Sequence, residues 1–500
     1  METAGELTSP TDQHPLSTRD SQAGVVVIGA GYSGLIAGAI LARNGVDVTV
    51  IDDADQVGGK GGAVDYGGYW IDLAHRDARG TGDTFLVSTK RGRYSLHAAE
   101  RAGADVKFEG PFDPLMNVHF LPNPTKIISL MKGPQAMRVM TEEILGLSAR
   151  DAKQYFATLD ELATNDYLEY VPITFREWLP TIGNRDVQRA LLRWARIVFS
   201  IPAQDSSVGR VIQALKNPQL TLLANDHEAG GMQGFMEPYA RVIRAHGGSI
   251  RLGQRPIEIT TGSDGVTGVV TLDRSSAVQT YSARHVVFAQ PVWDVIELLF
   301  TSRLPEELVR NAEALKGFGG DLMLVAMGLR SLPAIRATGA VETKPTFNRI
   351  LKGPDCIYGG GWWIPSTVSR RQAPNGKHLL EVAFGTAGPG CADHEPFATF
   401  AEGKAKVDYT VDYMREYYSN LDTIVEWSSY HLSKAPTVCE VWKPIRRAPL
   451  EAPGIRGLYF ADSTTEVDGQ EQDIAANAAM QVADLIMDRL PTIQKPTGSH

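Results

Sequence analysis

Three glycines, Gly29, Gly31 and Gly34, stand in the spacing G-x-G-x-x-G directly after the apolar run Val25-Val26-Val27-Ile28. That spacing suits a chain that must turn sharply, let a diphosphate approach the main chain, and pack a helix closely on a strand. Tyr32 and Ser33 fill the variable positions and are counted with the glycines as binding residues. An acid follows at the expected distance. Asp52, with Asp53 beside it, closes the run Val48-Thr49-Val50-Ile51 and is placed to accept hydrogen bonds from an adenosine ribose. The chemistry is that of gripping a dinucleotide, and this stretch alone does not separate FAD from NAD.

Positioning these residues requires strand, tight turn, helix and strand in that order. Leu35, Ile36, Ala37, Ala39, Ile40 and Leu41 have helical spacing between two β-branched runs, so the order is present. With 500 residues, 43% of them hydrophobic, the chain can bury two or three domain cores. A net charge of -9 without a basic stripe argues against nucleic acid as a partner. No apolar run reaches the roughly 20 residues needed to cross a bilayer. Cys356, Cys391 and Cys439 lack metal-ligand spacing, so no metal is expected and they read as thiols of a reducing compartment. The polar first 23 residues lack the layout of a secretory signal and read as a flexible tail, which gives a cytoplasmic expectation.

Two further glycine clusters, Gly58-Gly59-Lys60-Gly61-Gly62 and Gly67-Gly68, surround a short hairpin-like segment ending in Trp70-Ile71-Asp72, where backbone can lie against a ligand. This succession resembles the flavoproteins that include amine oxidases and phytoene desaturases, nearer the phytoene desaturase group. The resemblance covers most of the chain and is strongest at residues 25–72, 230–289 and 457–490. It implies FAD as cofactor, with Gly58, Gly59 and Lys60 along the diphosphate. The loop Asp72-Leu73-Ala74-His75-Arg76 would border the flavin, although the family's usual Asp-x-Gly is absent there. A His-Arg pair also reads as an ordinary surface turn, and both readings of His75 and Arg76 stand.

The same resemblance extends to Gly230-Gly231 and the alternating strands that follow, and it assigns Ile257 an adenine-side backbone contact. Pro256 next to it predicts a strand edge or a bulge. At the far end Gly457-Leu458-Tyr459-Phe460-Ala461-Asp462 reads as a buried strand ending in an acid, followed by an alanine-rich helix. By resemblance Asp462 meets the ribityl-phosphate end, and the helix N-terminus at Ile474 faces the flavin's pyrimidine edge.

The implied fold class is α/β. A discontinuous Rossmann-like FAD-binding domain of the glutathione-reductase type would comprise residues 24–90, 226–291 and 439–492. A second, mixed α+β substrate domain would comprise a helical cap at 91–225 and a further part at 292–438, with tails at 1–23 and 493–500. Within the cap, Thr174 to Glu177 has the form of a capping box. The apolar stretch Phe112 to Ile144 reads as core, or as a cap over an apolar tunnel that contacts a membrane surface. Tyr409, Tyr413 and Tyr417 read as a packed helix stripe, and Trp362-Trp363 as a candidate pocket wall.

The resemblance implies hydride transfer to flavin N5, from a C–H bond beside nitrogen or from a carbon chain that becomes desaturated. Amine oxidases of the family commonly carry a flavin-side lysine near a position that here is Met323. Carotenoid desaturases carry an apolar turn where this chain has Gly469-Gln470-Glu471-Gln472-Asp473-Ile474. Glu471 and Asp473 are therefore candidate general bases, and Asp473 also suits an N-terminal helix cap. The expectation is a dehydrogenase or desaturase acting on CH–CH groups of a mostly apolar, oxygen-bearing molecule such as a cyclic ketone, terpenoid or acyl chain. Oxygen, a quinone or another acceptor would reoxidise the flavin. The alternatives are a non-redox isomerase or hydratase, a flavin amine oxidase, and a flavin-binding protein without turnover; homo-oligomerisation is left open.

Overall fold

The computed structural model describes residues 20–22, 24–72, 84–88, 94–112, 115–121, 127–130, 138–199, 203–216, 219–299, 304–316, 322–352, 357–385, 399–433, 443–469 and 472–490. A four-residue run of β-branched side chains is stable when both faces are covered, and Val25–Ile28 is buried at every position. It is the middle strand of a parallel five-stranded sheet. The order is Ser249–Arg251, Val48–Ile51, Val25–Ile28, His285–Phe288, Leu458–Phe460. Chain order reverses at the middle strand, so a crevice opens at its C-terminal end, beside Gly29. The helix that follows, Tyr32–Arg43, is buried from Ser33 to Ala42. We call it the fingerprint helix. It packs against Gln233–Ala245 and against the closing helix, Gln472–Arg489.

A second sheet carries the meander Arg255–Gly262, Gly265–Leu272 and Val278–Ser282. Asp20–Gln22, expected to belong to a flexible tail, pairs in parallel with the meander's last strand. Backbone pairing needs no apolar signal, which is why composition gave no sign of it. Pro256 lies on the edge strand, and the register shifts between Pro256 and Glu258, so the expected edge and bulge are both present.

The third sheet has seven strands, ordered Val425–Ser433, Leu322–Leu329, His378–Gly385, Ile357–Trp363, Thr346–Lys352, Leu115–Leu121, Ile127–Leu130. The last two strands fall in the region expected to be helical. Side chains in Leu115–Leu121 alternate by face, and Asn117 and His119 belong to a buried polar network while Val118 joins a helical core. That helical core is formed by Ala149–Thr164, Arg185–Phe199 and Val208–Lys216 around Tyr155, Phe175 and Leu191. The capping box is present: the Thr174 backbone N–H donates to Glu177 at 2.8 Å, and the Glu177 N–H donates to the Thr174 hydroxyl at 3.3 Å.

One face of the seven-stranded sheet lies under the helix Phe400–Tyr417, here the roof helix, and receives Met323, Val325, Met327, Leu380, Val382 and Phe384. The other face receives Leu324, Ala326, Leu379 and Ala383, and packs on Tyr69 and Ile71 of the hairpin Ala63–Tyr66 and Tyr69–Asp72. Under the roof a polar network is fully buried. Trp362 Nε1 donates to the Tyr418 hydroxyl at 2.9 Å, Tyr418 donates to Glu342, and Asn348 Nδ2 donates to Glu342 at 3.1 Å. His119 joins it, with ring nitrogens 3.1 Å from Asn348 Oδ1 and 2.8 Å from the Tyr413 hydroxyl. The tyrosine stripe thus runs from exposed Tyr409 to buried Tyr413 and half-buried Tyr417. Among the described residues, no helix is long and apolar enough to cross a membrane.

Candidate functional site

Ile28 ends its strand and Gly29 turns the chain with φ 108°, a conformation that side chains resist. A β-carbon on Gly34 would collide with the Gly29 carbonyl oxygen, so the helix meets the turn backbone to backbone. The second glycine cluster closes on the first. Gly58 N–H donates to Ala30 O at 2.8 Å, and a β-carbon on Gly59 would lie 3.1 Å from Gly31 Cα. No side chain caps the fingerprint helix at Gly31, and no acid lies in its first turn. Among the described residues no carboxylate caps this N-terminus, since Asp52 is engaged by the Ala30 and Ala54 N–H groups, and the cradle around it is main chain, which fits a diphosphate. Tyr32 and Ser33 open the helix; Ser33 is buried, and Tyr32 is half-buried with its hydroxyl pushed well up by burial.

Asp52 is buried, and its carboxylate holds the loop in place. Oδ2 accepts the Ala30 N–H at 2.6 Å and Oδ1 accepts the Ala54 N–H at 2.9 Å. Burial pushes its affinity for a proton up, and these two N–H groups oppose that. Asp53 beside it is exposed. The turn into the meander is tied to the same spot, with Gln254 N–H donating to Asp52 O at 2.8 Å and Gly253 N–H to Ala54 O at 3.0 Å. Ile257 follows as the residue in the bulge, 38% exposed.

All five strands run in parallel, so Gly29, Asp52 and Asp462 follow strand ends at one edge of one sheet. Asp462 is half-buried and its Oδ1 accepts the Thr464 N–H at 3.0 Å. Ile474 is buried in a small cluster with Val467 and Ala478. Asp473 does not cap its own helix, as its position had predicted. It lies within the first turn, and its Oδ1 accepts the Ser95 N–H at 2.9 Å and the Ser95 hydroxyl at 2.5 Å. It thus serves the start of another helix, Tyr94–Ala102. His75, Arg76 and Glu471 lie outside the described residues, as does the Lys60 side chain; the Lys60 backbone forms part of the short turn Gly59–Gly61.

Asp72 joins this edge to the hairpin. Its Oδ1 accepts the Met232 N–H at 2.7 Å and its Oδ2 accepts Gln372 Nε2 at 3.3 Å. Gly231, at φ 61°, presses so close that a β-carbon would stand 2.7 Å from that carboxylate. Gly231 is thus explained by the buried Asp72 carboxylate, and Gly230 by the Arg371 carbonyl and the Trp70 ring, which leave no room for a β-carbon.

The sheet face turned to the hairpin is the second wall. Glu381 lies between Leu379 and Ala383 on that face and is 2% exposed. Trp363 pairs with Glu381 across the strands, stacks on Phe347 at 4.8 Å, and has a buried Nε1–H with no hydrogen-bond partner among the described residues. Trp362 and Trp363 therefore part company: Trp362 faces the roof and only Trp363 belongs to the wall. Met323 is also corrected. Its side chain is buried under the roof helix, so Leu324 is the residue on the hairpin side. Residues 322–329 contain no lysine on either face. Sequence reasoning missed Glu381, although it is the single charge in the otherwise apolar run Leu379-Leu380-Glu381-Val382-Ala383-Phe384. Among the described residues, no group of His, Cys, Asp and Glu could hold a metal ion.

A phytoene desaturase (neurosporene-forming) of Cereibacter sphaeroides is 26% identical over 271 residues, a match that spans 49% of this chain and 49% of the relative. An oxidoreductase of Methanosarcina mazei has the same fold, with a TM-score of 0.64 and 15% identity, over 93% of this chain and all of that one. Cyclohexylamine oxidase of Brevibacterium oxydans IH-35A gives a TM-score of 0.60 at 16% identity, over 93% of this chain and 99% of its own. A family model described as flavin containing amine oxidoreductase matches residues 32–487, which fits the glycine cradle at the sheet edge: the chain belongs to that family of oxidoreductases, with FAD as its cofactor.

Proposed function

We propose that this protein is an FAD-dependent dehydrogenase or desaturase that removes two hydrogens from adjacent carbons of a mostly apolar, oxygen-bearing small molecule such as a cyclic ketone, terpenoid or acyl chain. The observation that carries the reading is the make-up of the wall facing the hairpin. Leu324, Ala326, Leu379 and Ala383 supply aliphatic surface, and Glu381 and Trp363 supply one carboxyl group and one indole N–H. Bound FAD supplies the hydride acceptor. The aliphatic side chains exclude water from the carbon skeleton. The Trp363 N–H offers a hydrogen bond to a substrate oxygen, which polarises the neighbouring C–H bond. Glu381 takes the proton released from that carbon, with Glu471 as the second candidate for the same task. Glycine contacts to the diphosphate, the Asp52 contact to ribose, the Asp462 contact to the ribityl phosphate and the backbone contact at Ile257 belong to this reading, as do His75 and Arg76 beside the flavin. Oxygen, a quinone or another acceptor completes the cycle.

Anaerobic mixing of the purified protein with a panel of cyclic ketones, terpenoid ketones and acyl thioesters tests this. Bleaching of the visible flavin absorbance together with a product lighter by two hydrogens is the expected result. Turnover to a product of unchanged mass, or with water added, would replace it with the isomerase or hydratase reading. Bleaching by amines alone would replace it with amine oxidation.

A further inference from the structure

Three helix starts meet at one buried carboxyl group. Asp473, in the first turn of the closing helix, is 5% exposed and accepts both the backbone N–H and the hydroxyl of Ser95. Ser95 lies in the first turn of Tyr94–Ala102. The Tyr32 side chain, from the first turn of the fingerprint helix, meets the Tyr239 ring edge-on at 6.1 Å, and Ser95 and Asp473 both act on its hydroxyl. One serine thus links Asp473 to the residue that opens the diphosphate site.

Among the described residues, the charge that acts on this carboxyl group is of its own sign; Arg91, Arg93 and Glu471 lie outside the described residues. Asp468, from the segment before the closing helix, acts on it as a like charge, and Tyr94 donates to Asp468 at 3.3 Å. Tyr32, Tyr94, Tyr167 and Tyr239 face the same region from four helices, and burial pushes each of them up, so they stay neutral. Among the described residues, no basic side chain acts on Asp473. Glu471 is two residues away in the chain, outside the described residues. Burial, and then Asp468, push Asp473 up to about 7, against the two bonds from Ser95. A diphosphate brings two more negative charges to the neighbouring helix start, and like charge disfavours the ionised carboxylate further.

We propose that Asp473 is a positioning residue that works uncharged, taking up one proton from solvent as the diphosphate of FAD settles on the fingerprint helix, so that cofactor uptake is proton-coupled. The carboxylate becomes a carboxylic acid, and no bond of the cofactor changes. Its carbonyl oxygen still accepts from Ser95, so the three helix starts stay in register without a third negative charge beside the diphosphate. This rests on FAD as the cofactor and goes beyond the assignment of a substrate.

The test is titration of the full-length, deflavinated protein with FAD between pH 6 and 8.5, read by flavin fluorescence and by calorimetry in buffers of different ionisation heat. The dissociation constant is expected to rise about tenfold across that range, the consequence of one further unit of upward shift on binding. The calorimetric heats should show proton uptake that peaks at about half a proton near pH 7.5, as a one-unit shift requires. Asp473→Asn should bind FAD with a flat pH profile, at an affinity close to that of the native protein at pH 6, and Glu471→Gln should keep the native slope. A flat native profile with buffer-independent heats would overturn the proposal while leaving a yellow FAD protein. So would a slope that survives in Asp473→Asn or disappears in Glu471→Gln. If Asp473→Asn does not fold, the native titration and the Glu471→Gln arm decide.

Discussion

At the sheet edge that carries Gly29, Asp52 and Asp462, the proposed ligand contact is main chain, whereas on the buried wall that carries Leu324, Glu381 and Trp363 the proposed contact is side chain. The edge works by absence. Gly34 has no room for a β-carbon, Gly59 brings its backbone against that of Gly31, and no side chain caps the helix start. The wall works by selection among chemically ordinary residues, and its polarity comes down to one carboxyl group and one N–H on an aliphatic sheet face. Main-chain recognition therefore tolerates almost no substitution, while side-chain recognition can be edited one group at a time.

The sharpest break between the two regions should come from Gly34→Ala, which drives a methyl into the Gly29 carbonyl. We expect a loss on the order of 3 kcal/mol of stability and a protein purified without bound flavin, visible in its absorbance spectrum. Glu381→Gln should do the opposite: full flavin content, with kcat lower by about 10²–10⁴-fold on whichever substrate bleaches the native protein. An unchanged kcat would take Glu381 out of the proton-transfer role and leave Glu471 to be tested in the same way.

Protons separate the two sides as well. The folded state holds Asp473 at about 7 against an ordinary 3.8, so its contribution to stability is complete below pH 3.8 and drains away as the pH rises to about 7. Burial holds His119, under the roof, at about 4 against 6.5, so its contribution is complete above pH 6.5 and is lost as the pH falls to about 4. The shifts correspond to roughly 4 kcal/mol for Asp473 and roughly 3 kcal/mol for His119. Between pH 4 and 6.5 the two oppose each other. Denaturant titrations should therefore show stability rising with pH in Asp473→Asn and falling with pH in His119→Asn over that window.

The smallest expected difference lies between adjacent tryptophans. Trp362→Phe removes the donor to Tyr418 from a buried network and should cost about 1–3 kcal/mol without changing flavin content. Trp363→Phe removes an N–H that has no partner among the described residues, so no hydrogen bond is lost from the folded state. Its effect should appear instead as a KM raised about fivefold to tenfold for an oxygen-bearing substrate, the equivalent of one lost hydrogen bond. Equal stability losses in the two variants, with no change in KM, would remove Trp363 from the wall.

The dinucleotide edge was legible in the chain because glycine spacing, β-branched runs and a terminal acid are local signals whose meaning does not depend on neighbours. Val25 to Gly34, Asp52, the bulge at Pro256 and the strand ending near Asp462 all lie where those signals put them. Strands Leu115–Leu121 and Ile127–Leu130 were read as helical, because a short apolar run carries no periodicity long enough to decide. Asp473 was read as the cap of its own helix, because its partner, Ser95, lies hundreds of residues away in the chain.

What the amino-acid order determined by itself is the strand–turn–helix frame proposed to grip the cofactor, since Gly29 at φ 108° and Gly34 against the Gly29 carbonyl leave no place for a side chain. What only the tertiary structure decided is which side chains share a wall. In a strand that choice alternates with every residue, so a shift of one position separates Trp362 from Trp363 and Met323 from Leu324. Register is set by seven strands pairing across the chain, and no stretch of sequence carries that pairing alone.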